Sequence, residues 1–214
     1  SIERLFLTKF AQEDPKVMSL VQTNKLTYET ITSAEIESFV GKGVVHQGVL
    51  AVLRERMLYT LLDEVFETVK KKHTNPLLIV LDELQDPHNV GAIIRSAVAF
   101  GADAVLIPEY NQTQITGTVI KSASGMNFAI PIVKIGNVNT TLSKLKDRGF
   151  WIYGLTGEGD TMLSQASFDT PTVIVVGSEG DGIKAKTLEL CDFKLSIKTS
   201  KLCESLNASN ALAV

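Results

Sequence analysis

Residues 170–183 read Thr-Pro-Thr-Val-Ile-Val-Val-Gly-Ser-Glu-Gly-Asp-Gly-Ile. The run Val173–Val176 is apolar and β-branched, as in strands buried on both faces. It ends in Gly177-Ser178-Glu179-Gly180-Asp181-Gly182, where three glycines around a carboxylate let a backbone approach a ligand closely. Downstream, Glu204-Ser205-Leu206-Asn207-Ala208-Ser209-Asn210 is a polar cluster opening another helix. Open parallel sheets hold ligands outside the carboxyl ends of their strands, so both segments are expected to line one pocket. Taken singly, each reads equally well as a tight turn and a helix N-cap.

Outward from this stretch, strands and helices alternate. Strands are predicted at 77–81, 105–107, 132–135, 151–155, 173–176 and 194–197, and helices at 90–100, 118–123, 140–147 and 184–190. Nearly all-apolar strands in this alternation predict an α/β fold, a parallel sheet with helices on both faces. The first fifty or so residues form a separate small α/β pattern. It has a strand at Leu5–Leu7, a helix from Pro15 capped by Asp14, a strand over 26–31, a helix opened by the Thr32–Glu35 capping box and a strand ending at Val52. Arg54–Lys72 has apolar residues near helical spacing and reads as one helix, its Lys70-Lys71-Lys72 end complementing the helix dipole. The expected domains are thus 1–53, a linker helix in 54–76, and 77–214. Ser1 begins directly in a strand-like run and Val214 stops in mid-pattern, so the small domain is expected to be N-terminally incomplete and the last helix truncated.

With 214 residues, 44% hydrophobic and 21% charged, the chain has the composition of a soluble globular protein. A net charge of −3 argues against indiscriminate nucleic-acid binding but allows a local basic face. Lys184, Lys186, Lys194, Lys198 and Lys201 supply one beside the candidate pocket, or else a solvated face. Cys191 and Cys203 have neither disulfide-scaffold density nor metal spacing, which suits a reducing, cytoplasmic setting. No apolar run is long enough for a membrane span, and His46, His73 and His88 are too scattered to suggest a metal site.

The second informative stretch is Asp86-Pro87-His88-Asn89-Val90-Gly91-Ala92-Ile93-Ile94-Arg95, which follows the strand Leu77–Leu81. Asp86-Pro87 turns the chain, and Asn89 is placed to cap the helix predicted from Val90. Arg95 follows six residues later, just under two turns on, and is expected near the same face. Gly91 and Ala92 keep that helix slim where something packs or binds. An arginine and an asparagine near a helix start make a phosphate clamp; an ordinary capped helix with a surface arginine is the plainer reading.

Three ordered segments then carry a resemblance. Asp86-Pro-His-Asn89-Val-Gly91 with Arg95 and Ala97, Val176-Gly177-Ser-Glu179-Gly180-x-Gly182, and Ser205-Leu206-Asn207-Ala208-Ser209 resemble the three motifs of the SpoU (TrmH) family. These are ribose 2′-O-methyltransferases of the SPOUT superfamily, and the match runs from about Leu77 to Val214. His46-Gln47-Gly48-Val49 lies in a segment similar to the small ribosomal-protein-like, RNA substrate-binding domain of the RlmB-like branch. The resemblance implies S-adenosylmethionine as methyl donor, a C-terminal trefoil knot and a homodimer with its active site at the subunit interface. By motif, Asn89, Arg95, Glu179, Ser205 and Asn207 would be catalytic, and Gly177, Ile197 and Leu206 would hold the cofactor. The implied activity is methylation of a ribose 2′-hydroxyl in structured RNA, 23S ribosomal RNA being favoured. Transfer RNA, or a non-catalytic RNA-binding role on the same fold, are the alternatives.

The residue types suit that chemistry. A ribose hydroxyl must lose its proton while held about 3–3.5 Å from the electrophilic carbon, and the site must stabilise negative charge growing on oxygen. Arg95 supplies a cation for the neighbouring phosphate and the oxygen; Asn89, Ser205 and Asn207 would orient it and the ribose, and Glu179 would fix the loop. The sequence departs from the family at Ile197-Lys198-Thr199, where Ile-Pro-Met is common, at Lys201 in place of a glycine, and at Asn210. Gly154-Leu155-Thr156-Gly157-Glu158-Gly159 lacks both the dinucleotide fingerprint and a Walker lysine, which weakens an oxidoreductase reading. Its first residues are expected to line the cofactor pocket instead.

Overall fold

The computed structural model describes residues 2–69, 75–200, 202–203 and 205–214, and the chain divides into two compact units, 1–57 and 58–214. The first holds β1 (Ile2–Leu7), α1 (Lys9–Gln12), α2 (Pro15–Thr23), β2 (Glu29–Thr30), α3 (Ser33–Val40) and β3 (Val49–Leu53). Its sheet has the order β2-β1-β3, parallel between β1 and β2 and antiparallel between β1 and β3. Leu5, Leu7, Ala11 and Val21 form its small core. The strand expected over 26–31 is reduced to two residues. The capping box forms as expected: Thr32 N donates to Glu35 Oε2 at 2.8 Å, and Glu35 N donates to Thr32 Oγ1 at 3.2 Å. His46 closes a turn by accepting from Gly48 N at 3.0 Å, and Gly48 is held at φ +78 against Thr8. A β-carbon at Gly48 would fall 2.3 Å from Thr8 Oγ1, so only glycine fits there.

The single helix expected over 54–72 is not formed. A 3-10 turn covers Glu55–Met57, and α4 spans Leu62–Val69. Between them Thr60 bridges Val133 in parallel, its N–H donating to Ile132 O at 2.7 Å. The Tyr59 hydroxyl donates to Gln114 Oε1 at 3.2 Å and accepts from Ile115 N at 3.1 Å. These tertiary hydrogen bonds hold the segment extended where its apolar spacing alone favoured a helix. Lys70–Lys72 and His73 lie outside the described residues.

The second unit continues with β4 (Leu77–Asp82), α5 (Pro87–Ala99), β5 (Ala104–Pro108), α6 (Gly117–Ser122), β6 (Ile132–Ile135), α7 (Val138–Lys146), β7 (Trp151–Leu155), β8 (Thr161–Met162), β9 (Thr172–Gly177), α8 (Ala185–Glu189), β10 (Phe193–Ser196) and α9 (Ala208–Ala213). Its seven strands run in the order β6-β5-β4-β9-β7-β10-β8, with every pairing parallel. Side chains alternate across the sheet. Leu78 and Val80 of β4 with Val173 and Val175 of β9 face a core shared with α4 and α7. Ile79, Leu81 and Val176 face a second core built by α5, α6 and Ala208 of α9. That is the doubly covered parallel sheet the sequence predicted; β8, two residues long, carries no periodicity to betray it.

The C-terminal third has an unusual path. Because β10 lies between β7 and β8, the connection 156–160 crosses the carboxyl end of β10. The crossing is close: Thr156 N donates to Leu195 O at 2.9 Å, and a β-carbon on Gly159 would meet the backbone of 194–196 at 2.5–2.6 Å. Beyond β10 the chain goes on to α9, which packs on α5.

Candidate functional site

The helix carrying the first motif begins earlier than expected. Its cap is Asp86, whose carboxylate accepts from His88 N at 2.9 Å, with Pro87 as the first helical residue. Asn89 is therefore not a cap; it sits inside the first turn with its side chain free for other partners. Proline at the first helical position favours this start, since its missing N–H is one of the donors a helix start leaves unpaired anyway.

Those partners are the other two motifs. Asn89 Nδ2 donates to Glu179 Oε1, and Asn89 Oδ1 accepts from Asn207 Nδ2 at 2.8 Å. Asn207 is the cap of α9, its Oδ1 accepting from Ser209 N at 3.0 Å and Ser209 Oγ at 2.6 Å. Positions 89, 179 and 207 thus form one hydrogen-bonded string, Glu179–Asn89–Asn207, at the carboxyl edge of the sheet. Each carboxamide uses both its donor and its acceptor, which fixes the rotation of the amide groups.

The loop bearing Glu179 is braced on both sides. Ser178 and Gly182 exchange backbone hydrogen bonds of 3.1 and 3.0 Å, and Gly182 has φ +67. A β-carbon at Gly177 would sit 2.1 Å from Gly182 C, so this glycine serves loop closure itself. Behind the loop, buried Asp82 accepts from Lys184 N at 2.9 Å, and burial raises its carboxyl pKa against the pull of that hydrogen bond. Lys184 Nζ reaches Glu83 at 3.2 Å and Asp181 at 3.5 Å, tying the loop to the end of β4.

Beside the string opens a cleft of about 340 Å³, within the range of roughly 300–1,000 Å³ usual for small-molecule sites. Gly177, Ile197 and Leu206, the three expected cofactor residues, all line it, as do Glu179 and Ser205. Leu155, Thr156, Gly157 and Glu158 line it too, as anticipated for the first residues of that glycine-containing turn. Leu195 and Ala211 add apolar wall that no motif contains, because it comes from the end of β10 and from α9 meeting in space. Lys201 and Glu204 lie outside the described residues.

Arg95 is the one predicted site residue that the fold leaves apart. It is exposed on α5, and its side chain makes no hydrogen bond or ion pair among the described residues. Six residues at 3.6 per turn place it about 120° around the helix from Asn89 rather than on the same face. It lies nearer the side of Gly91, whose missing β-carbon makes room for α6: a methyl there would meet Ser122 Cβ at 2.5 Å and Val119 O at 2.8 Å. Cys191 and Cys203 are free thiols. Burial pushes Cys191 up to about 12, so it is a neutral packing residue rather than a nucleophile.

A glycine-lined cleft joined to a fixed carboxamide–carboxylate string, at the carboxyl ends of a parallel sheet, is the layout of an α/β enzyme that binds a small molecule and acts at its rim. The family follows from the sequence as a whole. The chain belongs to the SpoU rRNA methylase family, whose model matches residues 76–214. It is 37% identical over 208 residues to the 23S rRNA (guanosine-2′-O-)-methyltransferase RlmB of Pseudomonas syringae pv. tomato, covering 95% of this chain and 81% of that one. An uncharacterized tRNA/rRNA methyltransferase of Synechocystis sp., slr0955, is 35% identical over 217 residues; the match takes in all of this chain and 56% of that protein. Among solved structures, the SpoU methyltransferase AviRb from Streptomyces viridochromogenes in complex with AdoMet superposes with a TM-score of 0.83 at 22% identity, covering all of this chain and 79% of that one. At that identity the likeness speaks for the fold.

Proposed function

We propose that this protein transfers a methyl group from S-adenosylmethionine to the ribose 2′-oxygen of a nucleotide in 23S ribosomal RNA. The observation that carries this reading is the Glu179–Asn89–Asn207 string at the mouth of the cleft, which joins three family motifs far apart in sequence. The RlmB relatives support ribosomal RNA over transfer RNA as substrate, and make guanosine the first nucleotide to examine.

The residues present fit the donor. Leu155, Val176, Leu195, Ile197 and Leu206 offer an apolar slot for a purine, and the glycine loops present backbone groups to the rest. When bound, S-adenosylmethionine supplies an electrophilic sulfonium methyl. The protein's own work is positional. Asn89 holds Glu179 and Asn207, so the rim keeps one geometry as the ribose docks, which is the larger part of what an in-line transfer needs. Ser205, exposed on the cleft wall, presents its hydroxyl to the sugar. Arg95, a permanent cation, grips the adjoining phosphate and favours charge on the 2′-oxygen.

The separation of Arg95 from the string is consistent with a homodimer in which one copy's arginine serves the other's cleft, as the resemblance implies. The crossing of 156–160 over β10 is consistent with a trefoil knot in the C-terminal region. The small unit at residues 1–57 would bind the RNA substrate, and two free thiols suit a cytoplasmic setting. The test is to incubate the protein with methyl-labelled donor and, in separate reactions, 23S rRNA or transfer RNA, digest to nucleosides and separate them by mass. Labelled 2′-O-methylguanosine is expected; label on a base, or on transfer RNA alone, overturns the assignment.

A further inference from the structure

A second cleft, of about 460 Å³, opens at the carboxyl ends of β4, β5 and β6, on the other side of the Asp181–Lys184–Glu83 brace from the first. Tyr110 and Asn111 form one wall, Asn137 another, and Lys184 and Lys186 the rim. Tyr110 is 69% exposed, although the loop bearing it is firmly built. Gln85 Nε2 donates to Asn111 O at 2.6 Å, Leu84 N to buried Gln112 Oε1 at 2.7 Å, and Thr113 N to Leu84 O at 3.0 Å. Thr113 Oγ1 also donates to Gln85 O. Asn111 takes the left-handed conformation, φ 54, which turns the loop outward at the tyrosine. The partners in this lacing are Leu84 and Gln85, which lead directly into Asp86 and Asn89. The backbone that carries this bare aromatic ring is therefore fixed relative to the Glu179–Asn89–Asn207 string.

Packing does not explain that ring, since most of it faces solvent. An exposed aromatic on a braced loop, beside amide groups and lysines, is what a splayed-out nucleobase needs: a face to stack on, edges to hydrogen-bond and a cation for the phosphate. Of the two acids lining the cleft, Asp82 is buried and accepts from Lys184 N, and Glu83 is paired with Lys184 Nζ, while Lys186 has no ion pair among the described residues. Glu109, next to the tyrosine, is exposed to solvent.

We propose that this cleft is a subsite for an unpaired nucleotide of the RNA flanking the methylated one, with Tyr110 as stacking platform and Lys186 at its phosphate. The proposal rests on the reading of the substrate as RNA. It is tested with protein-free 23S rRNA, comparing the wild type with Tyr110→Ala, Tyr110→Phe and Lys186→Ala by filter binding, steady-state methyl transfer and calorimetry of S-adenosylmethionine binding. Tyr110→Ala should weaken RNA binding at least about fivefold and raise KM more than it lowers kcat, with donor affinity kept. Tyr110→Phe, which keeps the ring, should restore most of the loss. Lys186→Ala should weaken binding less and flatten its salt dependence. Unchanged RNA affinity in Tyr110→Ala, or an equal loss in Tyr110→Phe, overturns the subsite and leaves the methyl-transfer reading standing. If instead the wild type binds rRNA and donor yet labels no ribose, the reading of activity falls, while the effect of Tyr110 on RNA affinity still decides the subsite.

Discussion

Helices α2 and α5 begin with the same chemistry and end with different purposes. Asp14-Pro15-Lys16-Val17 and Asp86-Pro87-His88-Asn89 each place an aspartate cap before a proline at the first helical position. Asp14 accepts from Lys16 N at 2.8 Å and Asp86 from His88 N at 2.9 Å. Three residues after the cap, Val17 packs against the small core of the first unit, whereas Asn89 reaches Glu179 and Asn207. Five residues after it, Ser19 is exposed, whereas Gly91 lies against α6. The local signal that starts a helix is thus indifferent to function; what the third residue touches decides it.

The comparison breaks most visibly at its third position. Asn89→Ala should lower kcat/KM about a hundredfold or more, as expected when a preorganised polar contact at a reacting centre is lost. Val17→Ala should cost only about 1 kcal/mol of stability, because a half-buried valine loses two methyl groups. Steady-state kinetics beside thermal melts separates the two, and similar activity losses in both variants would erase the distinction.

Arg95 extends the contrast beyond one copy of the chain. Arg95→Ala should abolish turnover while sparing donor binding measured by calorimetry. If the arginine serves a partner's cleft, unfolding and refolding Arg95→Ala together with Asn207→Ala should restore about a quarter of wild-type activity, since half of random dimers carry one intact site. No recovery would place both residues in the same site of one copy.

The fifth position tests packing. Gly91→Ala forces a methyl to within 2.5 Å of Ser122 Cβ and 2.9 Å of Ala123 N, and should destabilise by about 1–3 kcal/mol. Ser19→Ala, on an exposed face, should stay within about 0.5 kcal/mol of the wild type. Chemical denaturation reads both. The smallest effect is the shared one: Asp14→Ala and Asp86→Ala should each cost about 1 kcal/mol as lost caps. Asp86→Ala should in addition reduce turnover, because it loosens the turn that aims Asn89. Equal stability losses with no kinetic difference would show that cap and site are independent.

The two caps also show where sequence reading succeeds and fails. Asp14-Pro15 is legible as a helix start, and the same pair at 86–87 means the same thing, yet Asn89 reads as the cap because asparagine is a good one and an apolar run follows it. The segment 54–72 misled for a related reason: its apolar spacing is helical, but Tyr59 and Thr60 gain hydrogen bonds to Gln114, Ile115 and Ile132 that hold the chain extended. Gly91, in contrast, reads from sequence as a point of close packing, because a helical glycine carries an entropic cost that close approach of a neighbour can offset, and α6 does lie against it.

Apolar runs, their alternation with amphipathic segments and the residue types of three motifs were enough to specify a parallel α/β sheet and to name Gly177, Glu179 and Asn207. Such features are local, and each acts through its own few neighbours. Tertiary structure alone decided that Asn89 joins Glu179 to Asn207, that 156–160 crosses β10 and that Tyr110 faces solvent from a laced loop. Each of these depends on groups many residues apart meeting in one place, and side-chain hydrogen bonds of about 3 Å are too short-ranged for sequence spacing to foretell.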